Sequence, residues 1–367
     1  MNQHSAHLTI DLSALSENWR TLNKLYSGRD CGAVVKADAY GLGVGPVSKA
    51  LWAAGCRTFF VANFDEGVQL RSLLYKEARI FVLQGCVAGM ERAFVEHGLT
   101  PVLISMAMCR RWLAFLDQEA SKLAFPVALK VNTGMNRLGI TMSDFQELAN
   151  SEVLQSLNVK FLLSHLACAD EPSNALNRIQ LERFAQVVSQ ARKQIPDLSA
   201  SLVNSAGMFL GQEWQFDLAR PGVALYGGLV CPAGSFQNVV TLELPVLQLR
   251  WLKAGESIGY GAAFTASRDM SVAITAGGYA DGIFRSVSNR AVGWCHGMLP
   301  VCGRVSMDSL VFDLSGLAKR DWPSEGDLIE LIGAHCSLAN FSEAAGTITY
   351  EVLTSLGDRL HRVYSGG

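Results

Sequence analysis

The chain has 367 residues with 31 basic and 33 acidic side chains, a formal net charge of −2, and is 49% apolar and 17% charged. That composition supplies a large buried core and excludes disorder, and the interspersed charges exclude the electrostatic footprint of a nucleic-acid binder. Nine cysteines without a Cys-x-x-Cys pair exclude a fully paired disulfide framework, and no apolar run reaches the roughly 18 residues of a membrane-spanning helix. The expectation is a reducing, cytoplasmic setting and small-molecule chemistry, with no membrane partner and no metal site. Residues 1–10 also lack the basic-then-apolar pattern of a secretory leader.

In chain order, short apolar runs rich in β-branched residues recur at 33–35, 58–62, 80–83, 102–104, 127–131, 159–163, 200–203 and 223–226. Segments with helical spacing, such as 65–76, 106–118 and 174–193, lie between most of them. Eight strands alternating with helices predict an α/β chain that begins as a TIM-like (β/α)8 barrel, although the uneven intervals also allow a doubly wound sheet. After Cys231-Pro232-Ala233-Gly234-Ser235, the runs at 239–252, 271–276, 310–314 and 328–332 predict a smaller, mainly-β C-terminal domain. The expected division is 9–232 for the barrel and 233–367 for the β-rich domain, with residues 1–8 free to pack on the latter.

In such a barrel, chemistry gathers where strands end. The first run, Ala33-Val34-Val35, ends in Lys36 and passes into Ala37-Asp38-Ala39-Tyr40-Gly41-Leu42-Gly43. A lone strand-end lysine sends its ammonium to solvent, so a reactive role depends on other groups converging on it. The fifth run ends near Lys130, with Arg137 in the following loop; the sixth ends in Ser164-His165; the seventh ends in Asn204-Ser205; and Arg220-Pro221-Gly222 precedes the run read as the eighth. Ser205 opens a possible helix, and Gly222 and Val223 offer backbone amides. This is how a phosphate is held near strands seven and eight, and a phosphate beside a Schiff-base lysine suggests pyridoxal phosphate.

With these residues assembled, the sequence resembles the alanine racemases, fold-type III pyridoxal-phosphate enzymes, over nearly its whole length. The resemblance rests on Val34 to Gly43, on Arg220-Pro221-Gly222-Val223-Ala224-Leu225-Tyr226-Gly227, and on Gly278-Tyr279-Ala280-Asp281-Gly282. It extends to Gly303-Arg304-Val305-Ser306-Met307-Asp308 and Thr347-Ile348-Thr349-Tyr350-Glu351. Two departures are visible: Gly259-Tyr260-Gly261 stands where many relatives have Ser-Tyr-Gly, and Asn132 stands where an Asp is common.

The resemblance implies that Lys36 carries pyridoxal 5'-phosphate as a Schiff base. Tyr40, Ser205, Gly222, Val223 and Tyr350 would hold its phosphate, Arg220 would face its ring nitrogen, and His165 would join the cofactor-holding set. It further implies that Arg137 binds the cofactor's phenolic oxygen and the substrate carboxylate, oriented by Lys130, which is carbamylated in some relatives. Tyr279, with Met307 and Asp308, would come from the partner subunit of a homodimer with shared sites. Lys36 and Tyr279 would then serve opposite faces of the substrate, as racemisation of L- and D-alanine requires. Met307 would offer its amide to the substrate carboxylate, and Tyr350, Ile348 and Arg304 would form a narrow access corridor. The product would supply peptidoglycan or be catabolised. Other readings are a serine, lysine or broad-specificity racemase, a decarboxylase of the same barrel family, a pyridoxal-phosphate carrier resembling the barrel alone, and an inactive barrel.

Overall fold

Parallel strands buried on both faces build the first part of the chain, in a computed structural model that describes residues 5–118, 125–228 and 236–367. Seven strand segments, Ala33–Val34, Thr58–Val61, Arg79–Val82, Leu99–Leu103, Val127–Lys130, Val159–Leu163 and Ser199–Ser201, pair in parallel in that order. Thr58–Val61 and Leu99–Leu103 are buried at every position, which is why their sequences read as continuous rather than alternating runs. The barrel interior is packed with aromatic rings. Phe81 stacks on Phe60 with centroids 4.9 Å apart and meets Phe161 edge-on at 4.7 Å.

The eighth strand is Leu218–Ala219, parallel to Asp30–Cys31, and it closes the circle. Gly32 N–H donates to Ala219 O at 3.0 Å on one side, and Arg220 N–H donates to Val203 O at 3.1 Å on the other. The run 223–226, expected to be this strand, is instead a buried turn in which Leu225 N–H bonds Gly222 O and Tyr226 N–H bonds Val223 O. A short buried apolar run has the same composition whether it is strand or turn, so burial misplaced the strand by a few residues. The correction moves Arg220, Gly222 and Val223 from before strand eight to just after it, onto the rim.

The helices follow from caps and apolar faces. Met142–Ala149 opens on a reciprocal capping box between Thr141 and Asp144. Ala175–Gln194 opens on Asn174, whose side chain accepts the Leu176 N–H, and buries Leu181, Phe184, Val187, Val188 and Ala191 against the barrel.

The remaining chain forms a mainly antiparallel sheet built on the long strand Val240–Leu252. Its first half pairs with His7–Asp11 and Leu328–Ile332, and its second half pairs with Met270–Ala276, with a register shift near Val246. The N-terminal strand His7–Asp11 thus crosses the expected barrel start at residue 9 and lies in the second sheet, where it also pairs with His361–Ser365. The expected division between residues 232 and 233 lies outside the described residues, as does Cys231. All eight described cysteines are unpaired, and among the described residues no helix is long and apolar enough to cross a membrane.

Candidate active site

Lys36 stands where the first barrel strand ends, and the chain then turns the wrong way. Ala37, Asp38, Ala39 and Tyr40 have φ of 53°, 52°, 55° and 59°, a left-handed helical turn made of non-glycine residues. Each L-residue there costs about 1–2 kcal/mol, so the surroundings must over-determine the conformation. Glu66 accepts the Ala37 N–H at 3.0 Å and the Ala62 N–H at 2.6 Å, which ties the turn to the end of strand two. Asp38 accepts the Val44 N–H at 2.7 Å. Tyr40, brought inward by the turn, packs its ring 4.8 Å from that of Tyr226, whose hydroxyl donates to Val34 O at 3.0 Å.

Between strands seven and eight lies a cradle of backbone amides. Ser205 Oγ accepts the N–H groups of Gly222 at 2.9 Å and Ala224 at 3.2 Å. A Cβ on Gly222 would sit 2.2 Å from the Tyr40 hydroxyl, so only glycine allows this approach. Among the described groups, the amides of Ser205 and Val223 donate to no protein acceptor, although both residues are buried. Buried backbone donors are seldom left unpaired, and two of them converging on one cavity fit an anionic group such as phosphate.

The cavity, about 650 Å³, opens at the C-terminal rim and is lined by Lys36, Tyr40, Lys130, Arg137, Ser164, His165, Asn204, Ser205, Arg220, Gly222, Val223, Ile348 and Tyr350, among others. No acid lines it. Arg220 is buried and donates to Ser164 O at 2.6 Å, to Leu202 O at 3.3 Å and to the Ser201 hydroxyl. It also donates to His165 Nδ1 at 3.2 Å, which leaves that nitrogen without a proton. Burial first, and then Arg220 and the other cations, hold His165 well below the ordinary histidine range. Burial and the Arg137 guanidinium lower the Lys36 ammonium against a weaker opposing pull from Glu66. Burial, Arg220, Arg137 and Lys36 together bring Lys130 down to about 8, and burial brings Arg220 to about 10. Four cations and no carboxylate suit a ligand with more than one negative group.

Arg137 is exposed on a loop that Asn132 shapes. The Asn132 Oδ1 accepts the N–H groups of Gly134 and Asn136, and its Nδ2 donates to Asn136 Oδ1 at 3.0 Å. The neutral amide makes the turn that an aspartate would make, and it adds a donor.

Tyr279, Met307, Asp308 and Arg304 lie outside the cavity, exposed on the β-rich part. Adjacent antiparallel strands, Met270–Ala276 and Ser309–Asp313, bring the first three together. Tyr279 N–H bonds Ser306 O at 3.0 Å, and Ala280 N–H bonds Met307 O at 3.1 Å. Arg304 sits against Gly261, in the Gly259-Tyr260-Gly261 segment. Sequence reasoning missed Glu66, although it follows a strand end, and Arg359, which pairs with Asp281 and Asp308.

A closed barrel with a depressed strand-end lysine, an amide cradle after strands seven and eight and a β-rich companion defines the barrel class of pyridoxal-phosphate enzymes. Residues 10–230 match the alanine racemase N-terminal domain and residues 239–364 the alanine racemase C-terminal domain. The chain is 44% identical to the catabolic alanine racemase of Agrobacterium fabrum, with 98% of this chain and 92% of that protein aligned. It is likewise 44% identical to the alanine racemase of Rhodospirillum rubrum over 99% of this chain and 96% of that one. Among solved structures, alanine racemase from Bartonella henselae with covalently bound pyridoxal phosphate is 38% identical with a TM-score of 0.91, covering 98% of this chain and 99% of that one. The chain belongs to the alanine racemase family.

Proposed function

We propose that the protein interconverts L- and D-alanine, with pyridoxal 5'-phosphate held in the barrel cavity and Lys36 and the partner subunit's Tyr279 serving opposite faces of the substrate Cα. The observation that carries this reading is a lysine of lowered pKa, in no ion pair among the described residues, in a four-cation cavity beside two buried amides that find no acceptor among the described groups. In this reading Tyr40, Ser205, Gly222, Val223 and Tyr350 hold the phosphate. Arg220 has only donors to offer, so it holds the ring nitrogen without protonating it, with His165 beside it. When bound, the cofactor acts as the electron sink that makes the substrate Cα–H acidic.

Arg137 holds the substrate carboxylate, supported by the Met307 amide of the partner subunit, which among the described groups donates to no protein acceptor. The neutral Lys36 amine takes or returns the proton on one face, and the Tyr279 phenol does so on the other. One base alone would have to cross the plane of the reacting carbon. Lys130 lies among three other cations, and its neutral amine is suited to react with carbon dioxide. The nitrogen–carbon bond forms, a proton leaves, and an anionic carbamate faces Arg137. Ile348 and Tyr350 line the cavity and, with Arg304 of the partner subunit, would narrow its entrance in favour of a small side chain such as methyl. Asp308 supports the segment carrying Met307. The enzyme is assigned to the cytoplasm on its eight described cysteines, all of them unpaired. L- and D-alanine have equal free energy in water, so the same site supplies or removes D-alanine according to which enantiomer it is given.

Incubation of the purified holoenzyme with single L-amino acids, followed by loss of optical activity, tests the substrate. Alanine should be consumed fastest, and faster turnover of L-lysine or L-serine would overturn the reading. Tyr279→Phe should retain the cofactor's absorbance and lose racemisation by roughly a hundredfold or more. Unchanged turnover would remove Tyr279 from its role.

A further inference from the structure

We propose that Arg359 is a positioning residue for Tyr279, an inference that rests on the acid/base role given to Tyr279 above. Arg359 lies in the polar loop that follows the helix Thr349–Ser355, and it joins two segments distant in sequence. Its Nε forms an ion pair with Asp281 Oδ1 at 3.1 Å and its Nη1 forms one with Asp308 Oδ1 at 2.7 Å. The Asp281 side chain is only 7% exposed, and its other oxygen accepts the Gly278 N–H at 2.9 Å, closing the short turn Tyr279–Asp281. Asp281 O also accepts the Gly357 N–H at 3.0 Å, so the Arg359 loop grips this turn through backbone as well. Asp308 is the residue after Met307. One guanidinium therefore clamps the turn that presents Tyr279 to the loop that presents Met307.

Two features make orientation, rather than stability, the consequence. In the single chain Arg359 is 53% exposed and Asp308 is 61% exposed, so the limb between them contributes little to folding, while the limb to Asp281 reaches a buried carboxylate that already holds the turn. Tyr279 is 44% exposed, and among the described residues its hydroxyl has no hydrogen-bond partner, so the aim of the phenol is set by its backbone turn. A planar fork reaching two carboxylates fixes direction in a way that a single ammonium does not. An acid/base group displaced by about an ångström loses rate steeply while binding is little changed.

The test uses the holoenzyme of Arg359→Met, with Arg359→Lys and Asp308→Asn as companions. Arg359→Met should keep the cofactor's absorbance, lose roughly tenfold to a hundredfold in kcat, and speed amide hydrogen exchange at Gly278, Tyr279 and Ala280. With Cα-deuterated alanine, its isotope effect should rise for one enantiomer only, the one whose hydrogen faces Tyr279. Arg359→Lys should recover part of the loss, and Asp308→Asn should lose less because the Asp281 limb persists. Unchanged exchange at those amides, or isotope effects rising equally for both enantiomers, would overturn the proposal. Parental racemisation by Tyr279→Phe would bring down the role of Tyr279 and the proposal with it, and it is read without any Arg359 variant.

Discussion

Gathering Lys36, Lys130, Arg137 and Arg220 around one cavity with no acid among the described lining residues costs the folded chain energy that an anionic ligand offsets, and Lys130 is where the cost is easiest to measure. Its pKa of about 8 in the folded protein lies below the ~10.4 of a free lysine. Below about pH 8 the ammonium is present in both folded and unfolded chains, and the folded chain bears the full penalty. Between that pH and ~10.4 the folded lysine gives up its proton while the unfolded one keeps it, so stability from this residue rises with pH, and above that range the penalty is gone. Lys130→Met should therefore stabilise the cofactor-free protein in carbon-dioxide-free buffer by on the order of 3 kcal/mol at pH 7 and by almost nothing near pH ~10.5. Thermal unfolding of both proteins at the two pH values checks this. An advantage independent of pH would place the effect in packing rather than charge.

The element that most clearly stores strain is the left-handed turn after Lys36, which keeps the amine inside the rim instead of letting the chain run on as an ordinary helix. Ala37 is exposed in that turn, so its Cβ bears the left-handed cost without contributing burial. Ala37→Gly should stabilise the protein by about 0.5 kcal/mol, the removed cost of about 1–2 kcal/mol exceeding glycine's entropic cost of about 0.5–1 kcal/mol. Ala37→Val should instead destabilise it by more than about 1 kcal/mol, because β-branched residues tolerate positive φ poorly. Comparing the three unfolding midpoints decides the matter, and a lower midpoint for Ala37→Gly would contradict the strain argument. In the sequence this element showed only as the segment from Ala37 to Gly43 that follows a strand-end lysine, since of Ala-Asp-Ala-Tyr only the Asp is a residue that favours positive φ. Barrel strands one to seven were legible because burial on both faces leaves mainly apolar runs, broken only by residues such as Lys160 and Arg79 that reach solvent. Strand eight was not, because two residues suffice to close the barrel and the longer buried turn behind them looks more like a strand. Glu66 escaped notice because an acid in the first turn of a helix already has an ordinary reading at the helix N-terminus. Arg359 escaped because a charged residue in a Gly-Asp-Arg loop reads as solvated, and its partners lie about fifty and eighty residues away.

At the scale of the whole molecule, the barrel cavity holds Lys36 while Tyr279 and Met307 face outward from the β-rich part. Their positions make sense chemically when a second copy of the chain brings its Tyr279 to the cavity of the first, an arrangement no single-chain sequence pattern encodes and that only the resemblance suggested. Mixing two inactive variants tests it. In a dimer of a Lys36→Ala chain with a Tyr279→Phe chain, shared sites place the intact Lys36 opposite the intact Tyr279 at one of the two cavities. Sites formed within one chain would all lack one group. Random pairing makes half the dimers mixed, so co-expressed variants should show about a quarter of the parental activity if sites are shared. Each variant alone should fall far below that. Purification of the mixed dimer through two different tags should raise the recovered activity to about half of parental. A mixed dimer as inactive as its parents would refute the shared site, and Tyr279 would then have to be sought in a different arrangement within its own chain.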